Sequence, residues 1–213
     1  MSGWKWSSFD TVPQPLHGVN RQRNHMSTLD LRPMLATDAS IVAGLHADSW
    51  RTAYRGLLSD AFLAGDVDRE RAASWRTRLG AFDEAREFGI VAWSDGVPVG
   101  FVFVIADVHP TWGSLIDNLH VSTAHRSAGI GARLLAAAAE GIHERVWDRR
   151  VHLWVFDANV RARAFYARMG GVEVEQIIKP TADGASAPTA RVVWADCADL
   201  QVKSAAGSVR TAH

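Results

Sequence analysis

Apolar residues along this chain recur with two periods. Short alternating or continuous runs predict strands at Thr28–Met34, Phe88–Trp93, Val97–Val108, Ser114–Val121, Val151–Phe156, Val172–Lys179 and Ala190–Ala195. Stripes at helical spacing predict a helix from Thr37 or Asp38 to about Ala53, with Ile41, Val42, Leu45 and Ala53 inward. Separate helical pieces follow at Ser59–Ala64 and Asp68–Leu79, and a helix opening near Arg126 carries Ile130, Leu134, Leu135, Ala138, Ile142 and Val146 on one stripe. A last helix runs from an Asn159 cap through Met169 and stops at Gly170-Gly171. Ser94-Asp95-Gly96 marks a hairpin, while Asp107–Gly113 and Thr181–Pro188 read as loops. The order is strand, helices, a run of strands, helix, strand, helix, two strands. That is an α+β fold with a mixed sheet.

The stretch from Ser114 to Leu135 organises the rest. A strand feeds a polar turn, Ser122–His125, and then Arg126-Ser127-Ala128-Gly129-Ile130-Gly131-Ala132 opens a helix. First-turn N–H groups have no intrahelical partner, and the helix dipole there favours negative charge, so such a turn suits phosphate. Gly129 and Gly131 would let a pyrophosphate approach, and Arg126 adds a fixed positive charge. No Gly-Lys-Ser/Thr follows, which excludes the Walker pattern; Leu134 stands where a dinucleotide fingerprint needs its third glycine.

Leu119-His120-Val121, Arg126-x-x-Gly129-x-Gly131 and Leu134-Leu135 together resemble the acyl-CoA signature of the GNAT superfamily of N-acyltransferases. A second run, Asn159-x-x-Ala162-x-x-Phe165-Tyr166-x-x-x-Gly170, resembles that family's strand-helix segment. The likeness covers about Leu29 to Ala195, and it departs at Gly171, where the family commonly has an aromatic and where packing should be looser. It implies a mostly antiparallel sheet flanked by helices, with acetyl-CoA held between two splayed central strands. It further implies that the turn from Arg126 to Ala132 takes the pyrophosphate, that the Leu119 backbone donates to the thioester oxygen, and that Val121 pairs with the pantetheine arm. Tyr166 matches the tyrosine that protonates the leaving sulfur; the bland alternative is a tyrosine packed on Phe165 and hydrogen-bonded to backbone. Asn159 serves the pantetheine or only caps its helix. The strand glutamate of some members falls at Leu115, so Asp117, on the parity of Leu119, is the candidate base; otherwise it merely accepts hydrogen bonds from the helical region. Alternation turns His120 to the other face unless a bulge intervenes. The region His46 to Gly56 resembles the acceptor-lining helix, which makes Trp50 and Tyr54, with Trp154, candidate acceptor contacts; packing aromatics at this spacing are equally expected.

Composition narrows the rest. The 213 residues suit one domain: an extension over 1–27, a domain over 28–200 and a tail over 201–213. Met26 is a candidate true start. Formal charge is zero, so no global field points to nucleic acid or an anionic membrane. One cysteine excludes an intrachain disulfide and fits a cytoplasmic location. No apolar run is long enough to span a bilayer. No zinc-type histidine spacing occurs, so no metal is expected, and His125 sits near the phosphates or in solvent. The expected activity is acetyl transfer from acetyl-CoA to an amine of a small molecule or peptide, with room for a homodimer. The aromatic faces mildly favour an apolar or cationic acceptor. The alternative is a non-catalytic acyl-CoA-binding regulatory module.

Overall fold

The structure is a computed structural model that describes residues 28–200. The extension with Met26 and the tail beyond Leu200 lie outside the described residues. Seven strands form one sheet: β1 (Leu29–Pro33), β2 (Glu87–Ser94), β3 (Val97–His109), β4 (Gly113–Val121), β5 (Val151–Phe156), β6 (Val172–Pro180) and β7 (Ser186–Trp194). Their spatial order is β1-β2-β3-β4-β5-β7-β6. Every neighbouring pair is antiparallel except β4 and β5. The helices are α1 (Ala39–Ala53), α2 (Val67–Gly80), α3 (Ile130–Glu144) and α4 (Val160–Arg168).

The sheet separates two cores. On one face α3 and α4 lay Leu134, Leu135, Ala138, Ile142 and Tyr166 over Val102, Val104, Leu153 and Val192. On the other face α1 and α2 set Val42, Trp75 and Leu79 against Phe101 and Phe103 of β3. Alternate residues of β3 thus feed opposite cores, which is why the strand reads as continuously apolar. Asp95 and Gly96 both adopt positive φ, at 49° and 81°, as a two-residue hairpin turn demands.

Four expectations change. The two short helices are joined: the chain turns helical at Asp60 and passes through a π-helical segment, Phe62–Asp66, directly into α2. α3 ends at Glu144, and Val146 leaves the apolar stripe with a φ of 58° and 89% exposure; Trp147 packs on Phe88 in its place. The loop over 181–188 is a tight turn, because β7 begins already at Ser186. Packing after α4 is close rather than loose: a Cβ on Gly171 would stand 2.4 Å from Val192 Cγ1 and 2.7 Å from Trp194 Cζ2. Trp194 of β7 fills the space, and its indole N–H donates to Met169 O at 3.0 Å.

Candidate active site

Strands β4 and β5 pair only at Ser114↔Val151 and Leu115↔His152, then part. The resulting V leaves one edge of β4 without a partner strand beyond Leu115 among the described residues. Ser122 N–H donates to Val99 O of β3 at 2.8 Å. Backbone groups alternate sides along a strand, so the N–H groups of Leu119 and Val121 turn into the V while that of His120 turns to β3. These are the two backbone positions expected to meet thioester and pantetheine.

At the mouth of the V one glycine takes a different role from the one expected. Thr123–His125 forms a short 3-10 helix, and Ser127 and Gly129 then take positive φ, at 73° and 75°. α3 starts at Ile130 with no side-chain cap, so the N–H groups of Ile130 and Gly131 have no acceptor inside the helix. Nothing would crowd a Cβ on Gly129, but one on Gly131 would lie 3.2 Å from Phe165 Cζ of α4. Gly129 therefore serves the turn's backbone, and Gly131 serves the close approach of α3 to α4. Arg126 donates to Thr52 Oγ1 of α1 at 2.9 Å. Burial, and then the neighbouring Arg161 guanidinium of α4, hold its pKa below the usual arginine value. The repulsion between these two guanidiniums beside an uncapped helix start is positive charge that an anion would neutralise. Arg161 was not singled out from sequence; its place two residues past the Asn159 cap was the available signal. His125 has a buried Nδ1 with no hydrogen-bond partner among the described residues and adjoins this turn.

On the α4 side, Asn159 Oδ1 accepts from Ala162 N at 3.2 Å, so the asparagine does cap its helix. Tyr166 is 8% exposed, with its ring against Phe165 and Trp194. Its phenol donates to no protein group among the described residues, so the backbone bond of the bland alternative is not made. Burial, then the nearby Tyr54, raise the pKa of Tyr166 well above the ordinary phenol value. Burial lifts Tyr54 to about 12 against a small opposing pull from Arg71. The two tyrosines of the chain are thus both protonated at neutral pH. Tyr54 also stands edge-on to Phe156 at the end of β5, with ring centroids 5.2 Å apart.

The face of β4 toward α1 and α2 corrects the parity argument. Phe103 pairs with Asn118, but Val104 pairs with Ile116, so Asp117 is the extra residue of a bulge. Ile116 and Leu119 consequently share the α3 core, while Asp117 turns to α2 and ion-pairs with Arg78. Asp117 Oδ2 takes both Arg78 and Asn118 Nδ2, leaving Oδ1 without a protein donor among the described residues. His120 turns to α1. Its Nδ1 is 2.9 Å from Ser49 Oγ, and its ring lies 4.3 Å from that of His46. Trp75 Nε1 donates to His46 Nδ1 at 2.9 Å. Burial, with Arg71 and Arg126 adding, drives His120 down to about 3, and burial also lowers His46. The pair is neutral at physiological pH. An open groove of about 640 Å³ adjoins it, lined by Trp50, Arg71, Arg78, Asp117 and Asn118 among others. Trp50 therefore faces the groove, although Arg71 already covers its ring at 4.1 Å.

Residues 48–171 match the acetyltransferase (GNAT) family. The chain belongs to that family. The PaiA N-acetyltransferase of Thermoplasma acidophilum, solved in complex with coenzyme A, superposes with a TM-score of 0.60 at 15% identity, over 78% of this chain and 99% of its own. A GCN5-related N-acetyltransferase of Rhodopseudomonas palustris also gives 0.60, at 21% identity over 79% and 96%. YncA of Salmonella typhimurium, solved with its cofactor acetyl-CoA, gives 0.56 at 15% identity over 79% and 94%. No curated protein matches the sequence. The fold is that of GNAT acetyltransferases. Among the described residues no helix is long and apolar enough to cross a membrane, and no cluster of three or more His, Cys, Asp or Glu could hold a metal ion.

Proposed function

We propose that the protein is a cytoplasmic acetyltransferase that moves an acetyl group from acetyl-CoA to a primary amine of a small molecule or peptide. One observation supports this reading most: among the described residues the β4 edge at the V has no partner strand, and it leads directly into the Arg126 turn and the uncapped start of α3. The pyrophosphate lies on the turn from Arg126 to Ala132, with Arg161 opposite, and the pantetheine arm adds to β4 through Val121. Leu119 N–H receives the negative charge that grows on the carbonyl oxygen as the amine attacks. The C–N bond forms and the C–S bond breaks. The Tyr166 hydroxyl protonates the departing thiolate, and the tyrosinate recovers its proton from water. The ammonium proton leaves through Asp117 Oδ1, while Arg78 holds the other oxygen. Structural neighbours solved with coenzyme A or acetyl-CoA support the choice of cofactor.

Thiol release across a broad amine panel tests the proposal. Tyr166→Phe should lower turnover about 100-fold or more while acetyl-CoA still binds. Full turnover by that variant would remove Tyr166 from the chemistry. The second reading, acyl-CoA binding without transfer, draws on Leu115 at the glutamate position and on the engagement of Asp117 by Arg78. Saturable acetyl-CoA binding with no thiol release on any amine would favour it.

A further inference from the structure

Beyond β4 the sheet face shared with α1 and α2 carries no helix among the described residues, and Trp154 lies there on β5. Its indole does not present an empty face for a cationic acceptor. Arg191 of β7 stacks on it at 4.2 Å and Lys179 of β6 at 4.6 Å. The countercharges on this side are unequal. Arg71 pairs with Glu70, Arg78 with Asp117, and Arg191 with Glu175 at 2.7 Å. Lys179, half-buried, has no carboxylate within ion-pair distance among the described residues. The last β4–β5 pair is Leu115↔His152, so Asp117 on β4 and Trp154 on β5, each two residues further along, flank the opening from its two sides. Of these four cations Lys179 alone has no ion-pair partner among the described residues, and it is held on an aromatic plate at the β4–β5 opening.

Glu175 already answers Arg191, so the uncompensated charge on the ring is that of Lys179. We propose that Lys179, seated on Trp154 with Arg191 beside it, binds a carboxylate of the acceptor, so that the acceptor is an amine bearing a carboxylate, such as a free amino acid, and not a polycation. The proposal rests on the acetyl-transfer reading above and names its acceptor class. A dication at this opening would meet Lys179 and Arg191 on the ring. An amino acid instead matches Lys179 with its carboxylate and Asp117 with its ammonium.

The test uses three amino acids and their carboxamides: phenylalanine, leucine and glutamine, with putrescine as the dication. Calorimetry on enzyme saturated with coenzyme A reads binding without transfer, and thiol release from acetyl-CoA reads kcat/KM per free amine. The wild type should prefer acid over amide by about 10-fold or more in at least one pair. Lys179→Met should bring that ratio near one, and Lys179→Arg should keep it. No acid preference in any pair, or a preference that survives Lys179→Met, overturns the anion site. Transfer to amides or putrescine in that case leaves the acetyltransferase reading standing. Lys179-dependent binding of the acids with no transfer to any amine supports the anion site and overturns the transfer.

Discussion

Replacing His120 by asparagine should flatten the acid side of the stability profile. His120 reaches Ser49 in the native protein, and its pKa there is about 3, whereas an unfolded histidine titrates near 6.5. A histidine depressed on folding contributes its stability above the unfolded pKa and loses it as pH falls, because only the unfolded chain then takes up the proton. Two pH units below 6.5 the native ring is still neutral. Each unit is worth about 1.4 kcal/mol, so between pH 7 and pH 4.5 this one ring removes about 3 kcal/mol. Asparagine can still bond Ser49 but cannot titrate. His46 remains in both proteins, so its share cancels to first order. Urea unfolding of both proteins at the two pH values measures the difference directly. The wild type should lose about 3 kcal/mol more than His120→Asn. Equal losses would mean that His120 is solvated and titrates normally, and the neutral lining described for the acceptor side would fall with it.

Other consequences follow from single contacts. Gly171→Ala should destabilise the protein by about 1–3 kcal/mol in urea unfolding, because the added methyl enters the Val192 and Trp194 side chains; an unchanged midpoint would contradict that packing. Both tyrosine pKa values are raised on folding, so stability should fall as pH rises above 10, where only the unfolded phenols ionise. Ultraviolet titration of native protein should show almost no tyrosinate at pH 10.5, against a majority for free phenols. Asp117→Asn should reduce transfer more than it reduces acetyl-CoA affinity, read as kcat/KM against Kd; an equal loss in both would assign Asp117 to the fold of the groove alone.

Much of this molecule is legible in the sequence because its elements are locally determined. Alternation located all seven strands, and the Arg126-to-Gly131 turn and the Asn159 cap are set by residues close in the chain. What escaped depends on partners far apart. The bulge that reverses Asp117 comes from a register shift against β3, which alternation along β4 cannot reveal. The joining of the helical pieces rests on a π-helical turn with no periodic signature. Trp194 compensates for Gly171 from 23 residues away, and the cations on Trp154 arrive from two other strands. Arg161 becomes meaningful only when α4 brings it to Arg126.

The central claim is that the V between β4 and β5 holds an acyl-CoA by its phosphates on the Arg126 turn. Calorimetric titration of acetyl-CoA into the wild type and Arg126→Glu tests it most directly. Saturable one-to-one binding by the wild type, weakened by about 100-fold or more in the variant, is the predicted result, since a stabilising charge becomes a repelling one. No binding by folded wild type, or equal affinity in the two proteins, would contradict the account.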